Sequence, residues 1–272
     1  MHCSESIFIT FQNLYFCCKY KSVNRYLLKL AFKGTNYHGW QIQPNSITIQ
    51  EIMNNALSTI LREEINVIGA GRTDAGVHAS CFFAHFDLEK SEVTDKEHFL
   101  FKINNYLPGD IAVYDIYPVD PKAHARFSAT SRTYKYYITR KKNPFKIEFS
   151  YHLFFNANIE KMNQACSQLF EYSDFTSFSK SNTQAKTNFC EIYKAEWTEK
   201  EDEIIFTIRA NRFLRNMVRA IVGTMLDIGR DKITLNEFRK IIESKNRSNA
   251  GYSVPPNGLF LTDIRYPDKI YL

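Results

Sequence analysis

One segment, Gly69-Ala-Gly-Arg-Thr-Asp-Ala-Gly-Val-His-Ala79, sets a single carboxylate, Asp74, two residues after a guanidinium, Arg72. The segment holds three of the ten glycines in the chain, all within eight positions. Glycine permits backbone angles and close approaches that other residues cannot make, so this density fits a loop that brings a ligand near the main chain. A carboxylate is ionised at neutral pH and is available there as nucleophile or base. The same glycines also suit a tight connection between strands.

Two basic sets could supply the counter-charge for such a site. Between Lys122 and Lys142 stand Lys122, Arg126, Arg132, Lys135, Arg140, Lys141 and Lys142, interleaved with His124, Phe127, Tyr134, Tyr136 and Tyr137 and with no acidic residue. Cations neutralise phosphates and aromatic faces stack on unpaired bases, so this mixture suits RNA; it also suits a basic strand edge kept soluble by lysines. The second set, Arg212, Arg215 and Arg219, is spaced i, i+3, i+7 and predicts one face of a helix, whose ordinary reading is a solvated face. Arg219 is different, because it lies inside the apolar run Met217-Val-Arg-Ala-Ile-Val-Gly223. An unpaired guanidinium there is costly, a carboxylate partner is expected, and Asp74 is the candidate. His78 and His124 titrate near neutrality as a residue type, yet in a glycine-rich loop and beside an arginine they read as hydrogen-bonding scaffold. Trp40 and Gln41 read as structural or as shape contacts.

The elements that must position these residues follow from pattern. Arg25–Phe32 alternates as a strand and is followed by a turn at Gly34-Thr-Asn. Thr48-Ile-Gln-Glu51 has the form of a capping box, with Ile49, Met53, Ala56 and Ile60 at helical spacing. The same signature recurs at Thr94-Asp-Lys-Glu97 and Thr234-Leu-Asn-Glu237. Strands are expected at 65–68, 81–88, 111–119, 133–140, 191–198, 203–209 and 259–265. Several follow one another too closely for helical crossovers, which predicts an α+β fold with substantial antiparallel sheet. Charge and proline at Lys141-Lys-Asn-Pro144 mark a divide, giving an N-terminal subdomain over 23–140 with the glycine-rich loop and a C-terminal subdomain over 141–272.

Composition bounds the rest. A chain of 272 residues with 44% hydrophobic content can bury a real core. Thirty-five Lys and Arg against 29 Asp and Glu give +6, which favours an acidic partner such as nucleic acid. The six cysteines form no C-x-x-C pair and no zinc spacing, so they read as reduced cytoplasmic thiols and no metal is expected. No apolar run is long enough to span a bilayer. Residues 1–22 are an atypical N-terminal extension, apolar but broken by Gln12, Asn13 and Lys19 and lacking a signal-peptide cleavage pattern. They read as a loosely docked extension or as an upstream start assignment.

The loop Gly71–Ala79 resembles the catalytic motif of the TruA family of tRNA pseudouridine synthases. Further matches follow in family order: Gly39-Trp-Gln-Ile-Gln43, Leu107-Pro-Gly-Asp-Ile111, His124-Ala-Arg-Phe127, Arg132-Thr-Tyr-Lys-Tyr136, Asp174-Phe-Thr-Ser-Phe178, Met217-Val-Arg219 with Ile221-Val-Gly223, and Pro256-Asn-Gly-Leu259. The resemblance runs from about Arg25 to the C-terminus. Ala123 stands where a phenylalanine commonly precedes the His-Ala-Arg-Phe segment, and residues 1–22 have no counterpart.

The resemblance implies two similar sheet-based subdomains flanking a basic cleft, and isomerisation of uridine to pseudouridine at positions 38, 39 and 40 of the tRNA anticodon stem and loop. It assigns Asp74 and Arg219 to catalysis and Tyr134, Arg72 and Leu259 to the target nucleotide, with Tyr134 stacking on uracil and Arg72 aiding base flipping. Arg126, Arg132, Lys135, Arg212 and Arg215 are the expected RNA contacts. The reaction exchanges one bond for another without net redox change, so no cofactor is implied, and a homodimer acting on tRNA is. Two rivals remain at this stage: an RNA-binding protein without catalysis, and a carboxylate enzyme acting on another glycosidic bond, which would need a second acid.

Overall fold

A computed structural model describes residues 24–180 and 187–272; the expected N-terminal extension lies outside the described residues. The strands, in chain order, are β1 (Asn24–Phe32), β2 (Ile68–Gly69), β3 (His78–Leu88), β4 (Ile111–Val119), β5 (Ser131–Thr139), β6 (Tyr151–His152), β7 (Ile192–Lys200), β8 (Glu203–Ala210) and β9 (Leu259–Arg265). The helices are α1 (Ile49–Leu61), α2 (Lys96–Tyr106), α3 (Ile159–Leu169), α4 (Met217–Gly229) and α5 (Leu235–Glu243). All nine strands join one sheet in the order β4-β1-β3-β9-β5-β8-β7, with β2 on β3 and β6 on β5. The α+β class and the mainly antiparallel sheet are therefore as the close strand spacing predicts. Two pairings are parallel, β3 with β9 and β5 with β6.

The sheet carries two buried clusters. The first collects α1 and α2 against β1, β3 and β4, through Met53, Leu57, Phe99, Ile103, Leu28, Phe82 and Val113. The second collects α3, α4 and α5 against β5, β7 and β8, through Met162, Ile221, Met225, Phe238, Ile138, Trp197 and Phe206. β9 belongs to both, because Leu261 and Ile264 enter the first cluster while Leu259 enters the second. Tyr134 also packs against both. The seam between the halves thus runs along β5 and β9, the strands that carry Tyr134 and Leu259.

Helix starts differ in detail from expectation. Thr234 makes the full capping box with Glu237. At α2 the cap is Asp95, whose side chain accepts from the His98 amide, one residue beyond the expected threonine. Thr48 occupies the N-cap of α1 but makes no cap bond, and its hydroxyl is buried without a partner. The arginine helix is corrected most. α4 begins only at Met217, because Asn216 adopts the left-handed region at φ 67°, so Arg212 and Arg215 lie on the preceding loop. Among the described residues no helix is long and apolar enough to cross a membrane.

Candidate active site

The glycine-rich segment leaves β2, turns, and enters β3. The turn is closed by the Val77 amide donating to the Asp74 carbonyl at 3.2 Å, with Gly76 at φ +77°. Only one of the three glycines faces open space: a Cβ on Gly71 would meet nothing within 4 Å, whereas one on Gly69 would lie 2.4 Å from the Trp40 indole nitrogen. Gly69 is therefore required for packing rather than for ligand approach. Gly39, at φ +87°, presses on the loop from behind; a Cβ there would lie 2.2 Å from the Thr73 carbonyl oxygen. Trp40, 2% exposed and 4.3 Å from the Phe82 ring centroid, anchors that backing segment in the first core.

Opposite the loop stands α4. Eleven of its thirteen residues are buried, and Arg219 and Asp227 are the two that are not. Arg219 donates through Nη1 to Asp74 Oδ2 at 3.2 Å and through Nε to the Val254 carbonyl at 2.7 Å. The charge expected to need a partner within the apolar run has one, 145 residues away in sequence. Segment 251–258 makes this possible by lying against the helix: Gly223 accommodates the Tyr252 carbonyl, which would come within 1.8 Å of a Cβ there. The buried Tyr136 hydroxyl donates to the Pro255 carbonyl at 2.9 Å. Arg215 brings a second guanidinium to the carboxylate, with Nε 3.7 Å from Asp74 Oδ1.

Asp74 and Arg219 face a cleft of about 1300 Å³ between the two halves. Tyr134 and Leu259 line it, as do Arg72, Arg126, Arg132, Lys180, Arg212, Arg215 and Arg219. Among the described residues lining it, Asp74 is the one carboxylate against these seven cations. Such a surface attracts polyanions and strengthens charge interactions once water is excluded. The Tyr134 ring sits edge-on against Phe213, centroids 5.1 Å apart at 88°. Burial first, with Asp74 adding, pushes its hydroxyl up to about 12, so it enters neutral chemistry as a phenol.

The expected RNA contacts divide. Arg72, Arg126, Arg212 and Arg215 line the cleft, and Arg126 lies over the exposed Phe127 ring, 5.5 Å from its centroid. Desolvation and the charges of Arg72 and Arg212 lower the Arg126 pKa, which marks the three guanidinium groups as neighbours. Arg132 also lines the cleft, but its guanidinium donates to the carbonyls of Ala70, Arg126, Ala129 and Asn211. It ties the glycine-rich loop to β5 and to the segment after β8. Lys135 is absent from the cleft lining: strand alternation places it on the sheet face opposite Tyr134.

Both histidines serve as scaffold. His78 is 1% exposed; its Nδ1 accepts from the Gly34 amide at 3.0 Å, so Nε2 donates to the Glu148 carbonyl at 2.9 Å. Burial lowers its pKa and keeps the ring neutral. His124 Nδ1 accepts from the Arg126 amide at 3.1 Å, shaping the turn that carries Arg126. Sequence reasoning missed Phe213 and Lys180 as cleft residues and the strap at Val254-Pro255. Lys180 carries no periodic signal, and Phe213 has helical spacing with Met217, Ile221 and Met225, which reads as a helix face rather than a site; the strap announces itself only by its prolines.

Comparison with known proteins places this geometry in context. A family model described as tRNA pseudouridine synthase matches residues 30–128 and 165–267. The tRNA pseudouridine synthase A of Bacteroides fragilis is 56% identical over 251 residues, covering 92% of this chain and 99% of that protein. That of Bacteroides thetaiotaomicron is 56% identical over 252 residues, covering 92% and 93%. That of Parabacteroides distasonis is 53% identical over 249 residues, covering 92% and 98%.

Proposed function

Because the chain belongs to the tRNA pseudouridine synthase family, we propose that it isomerises uridine to pseudouridine at positions 38, 39 and 40 of the tRNA anticodon stem and loop. The chain is an isomerase whose substrate class is tRNA; the three positions, base flipping, a homodimeric cytoplasmic enzyme, and subdomains over 23–140 and 141–272 are our reading. The observation that carries it is the pairing of Asp74 with Arg219 on a cleft with one carboxylate and many cations. That arrangement disfavours the glycosidase alternative, which needs two acids flanking the bond.

The geometry supports distinct roles. Asp74 supplies the negative group that reacts with the target nucleotide, and Arg219 keeps it charged and oriented when the substrate displaces water. Tyr134, held edge-on by Phe213, presents a ring for stacking on the uracil and a neutral hydroxyl for proton exchange at C5. Leu259, 5% exposed at the head of β9, walls the pocket. Arg72 is exposed on the loop two residues before Asp74, where it can fill the space left by a base swung out of its stack. The glycosidic bond to N1 breaks and a C–C bond from C5 to C1′ forms; the proton lost from C5 returns to the base nitrogen, so atoms and charge balance.

Release of tritium from tRNA labelled at uridine C5 tests this directly. Wild-type protein is expected to release it, and Asp74→Ala to lose release while still binding tRNA. Wild-type protein that bound tRNA and released none would overturn the synthase reading.

A further inference from the structure

Two arginines reach Asp74, and they are held in different ways. Arg219 is fixed by the Val254 carbonyl as well as by Asp74, and its side chain is 18% exposed. Arg215 extends from the loop ahead of α4 with its side chain 58% exposed. Its Nε lies 3.7 Å from Asp74 Oδ1, inside ion-pair range and outside hydrogen-bond range. Among the described residues, Asp74 is the partner of this guanidinium. Its backbone is anchored, since the Lys180 amide donates to the Arg215 carbonyl at 3.0 Å. The head is thus exposed on an anchored base, lining the same cleft as Lys180 and Arg212.

An exposed ion pair at this distance is weak and screened. A phosphate offers the same guanidinium two parallel N–H bonds, a stronger arrangement. A strand entering the cleft therefore competes with Asp74 for Arg215 but not for the anchored Arg219. We propose that Arg215 is a positioning residue that changes partners: in the free protein it screens Asp74 Oδ1, and on tRNA binding it turns to a backbone phosphate of the substrate. The exchange leaves Asp74 held through Oδ2 by Arg219 and opens Oδ1 to the nucleotide. It couples substrate arrival to exposure of the reactive oxygen, and it rests on the synthase reading above.

The test pairs Arg215→Gln with Arg219→Gln, measuring steady-state pseudouridine formation and salt-titrated tRNA binding. Arg215→Gln is expected to raise KM about fivefold to tenfold and to lower the slope of log K against log salt by roughly 0.7–0.9, one phosphate contact. Its kcat changes by less than about threefold, and Arg215→Lys restores the salt slope. Arg219→Gln shows the reverse pattern, with kcat falling about a hundredfold and an unchanged slope. A loss of tenfold or more in kcat for Arg215→Gln with the wild-type slope would overturn the proposal, because the guanidinium would then stay on Asp74 through the reaction. Unchanged KM and slope would overturn it too. Wild-type protein that bound tRNA but converted no uridine would instead refute the synthase reading, while the slope comparison would still decide the exchange.

Discussion

Gly39→Ala is expected to damage catalysis from behind the loop, without touching substrate. An added Cβ would lie 2.2 Å from the Thr73 carbonyl oxygen, 3.1 Å from its carbon and 3.2 Å from the Asp74 carbonyl carbon. Ordinary van der Waals contact begins near 3.4 Å, so backbone must yield by roughly 1 Å. The neighbour is main chain, which cannot rotate away as a side chain could. The φ of +87° adds strain of about 1–2 kcal/mol for any L side chain. With overpacking of about 1–3 kcal/mol, the expected loss of stability is roughly 2–5 kcal/mol. A displacement of that size at the reacting group costs about a hundredfold in rate. Urea unfolding reads the first effect and single-turnover tritium release at a temperature where the variant is folded reads the second. Gly71→Ala is the control, since a Cβ there meets nothing within 4 Å and stability should be retained. A folded Gly39→Ala protein with a rate within threefold of wild type would refute the claim that this contact sets the position of Asp74.

Tyr134→Phe keeps the ring and its packing on Phe213, so tRNA affinity should stay within about twofold, while loss of the hydroxyl should lower kcat by about a hundredfold or more if it moves the C5 proton. With that hydroxyl raised to about 12, the wild-type pH–rate profile should show no break near pH 10 from this residue; steady-state kinetics on both proteins checks each point. His85, 2% exposed and accepting from the Ala125 amide, is pushed down to about 4 by burial, Arg25 and His124. The unfolded chain takes up this proton near pH 6.5 and the folded chain resists it, so stability is full above 6.5 and falls toward pH 4 by about 3 kcal/mol. Urea midpoints from pH 7 to pH 4.5 should show the decline, and His85→Gln should flatten it; an unchanged slope in that variant would assign the loss elsewhere.

Much of the site was legible because its demands are local. Arg219 interrupts an apolar run, and burial of a charge requires a partner whatever the fold. Tyr134 and Leu259 sit in alternating strands, so pattern places them in the sheet even before its order is known. What could not be read depends on backbone geometry that side-chain spacing does not encode. Arg212, Arg215 and Arg219 have helical spacing, yet Asn216 in the left-handed region ends any helix before it reaches the first two. Lys135 belongs to a basic cluster in sequence, but a strand turns successive residues to opposite faces and separates it from Tyr134. The spacing around Arg132 gives no sign of the four carbonyls that the fold brings to it, from segments as distant as Ala70 and Asn211.

The position of β9 also bears on how the molecule comes into being. This strand lies between β3 and β5 but follows every other strand in the chain, and His78 must wait for Phe260 to find its neighbour. During synthesis on the ribosome, β3 emerges with that part of its edge open, and it stays open while most of the remaining chain is translated. Open edges invite pairing with other nascent chains, so this interval is the hazardous one for aggregation. Contacts of such long sequence separation also form slowly. Since Leu259 and the strap that holds Arg219 arrive with the same late segment, the walls of the cleft are complete only once β9 has been inserted.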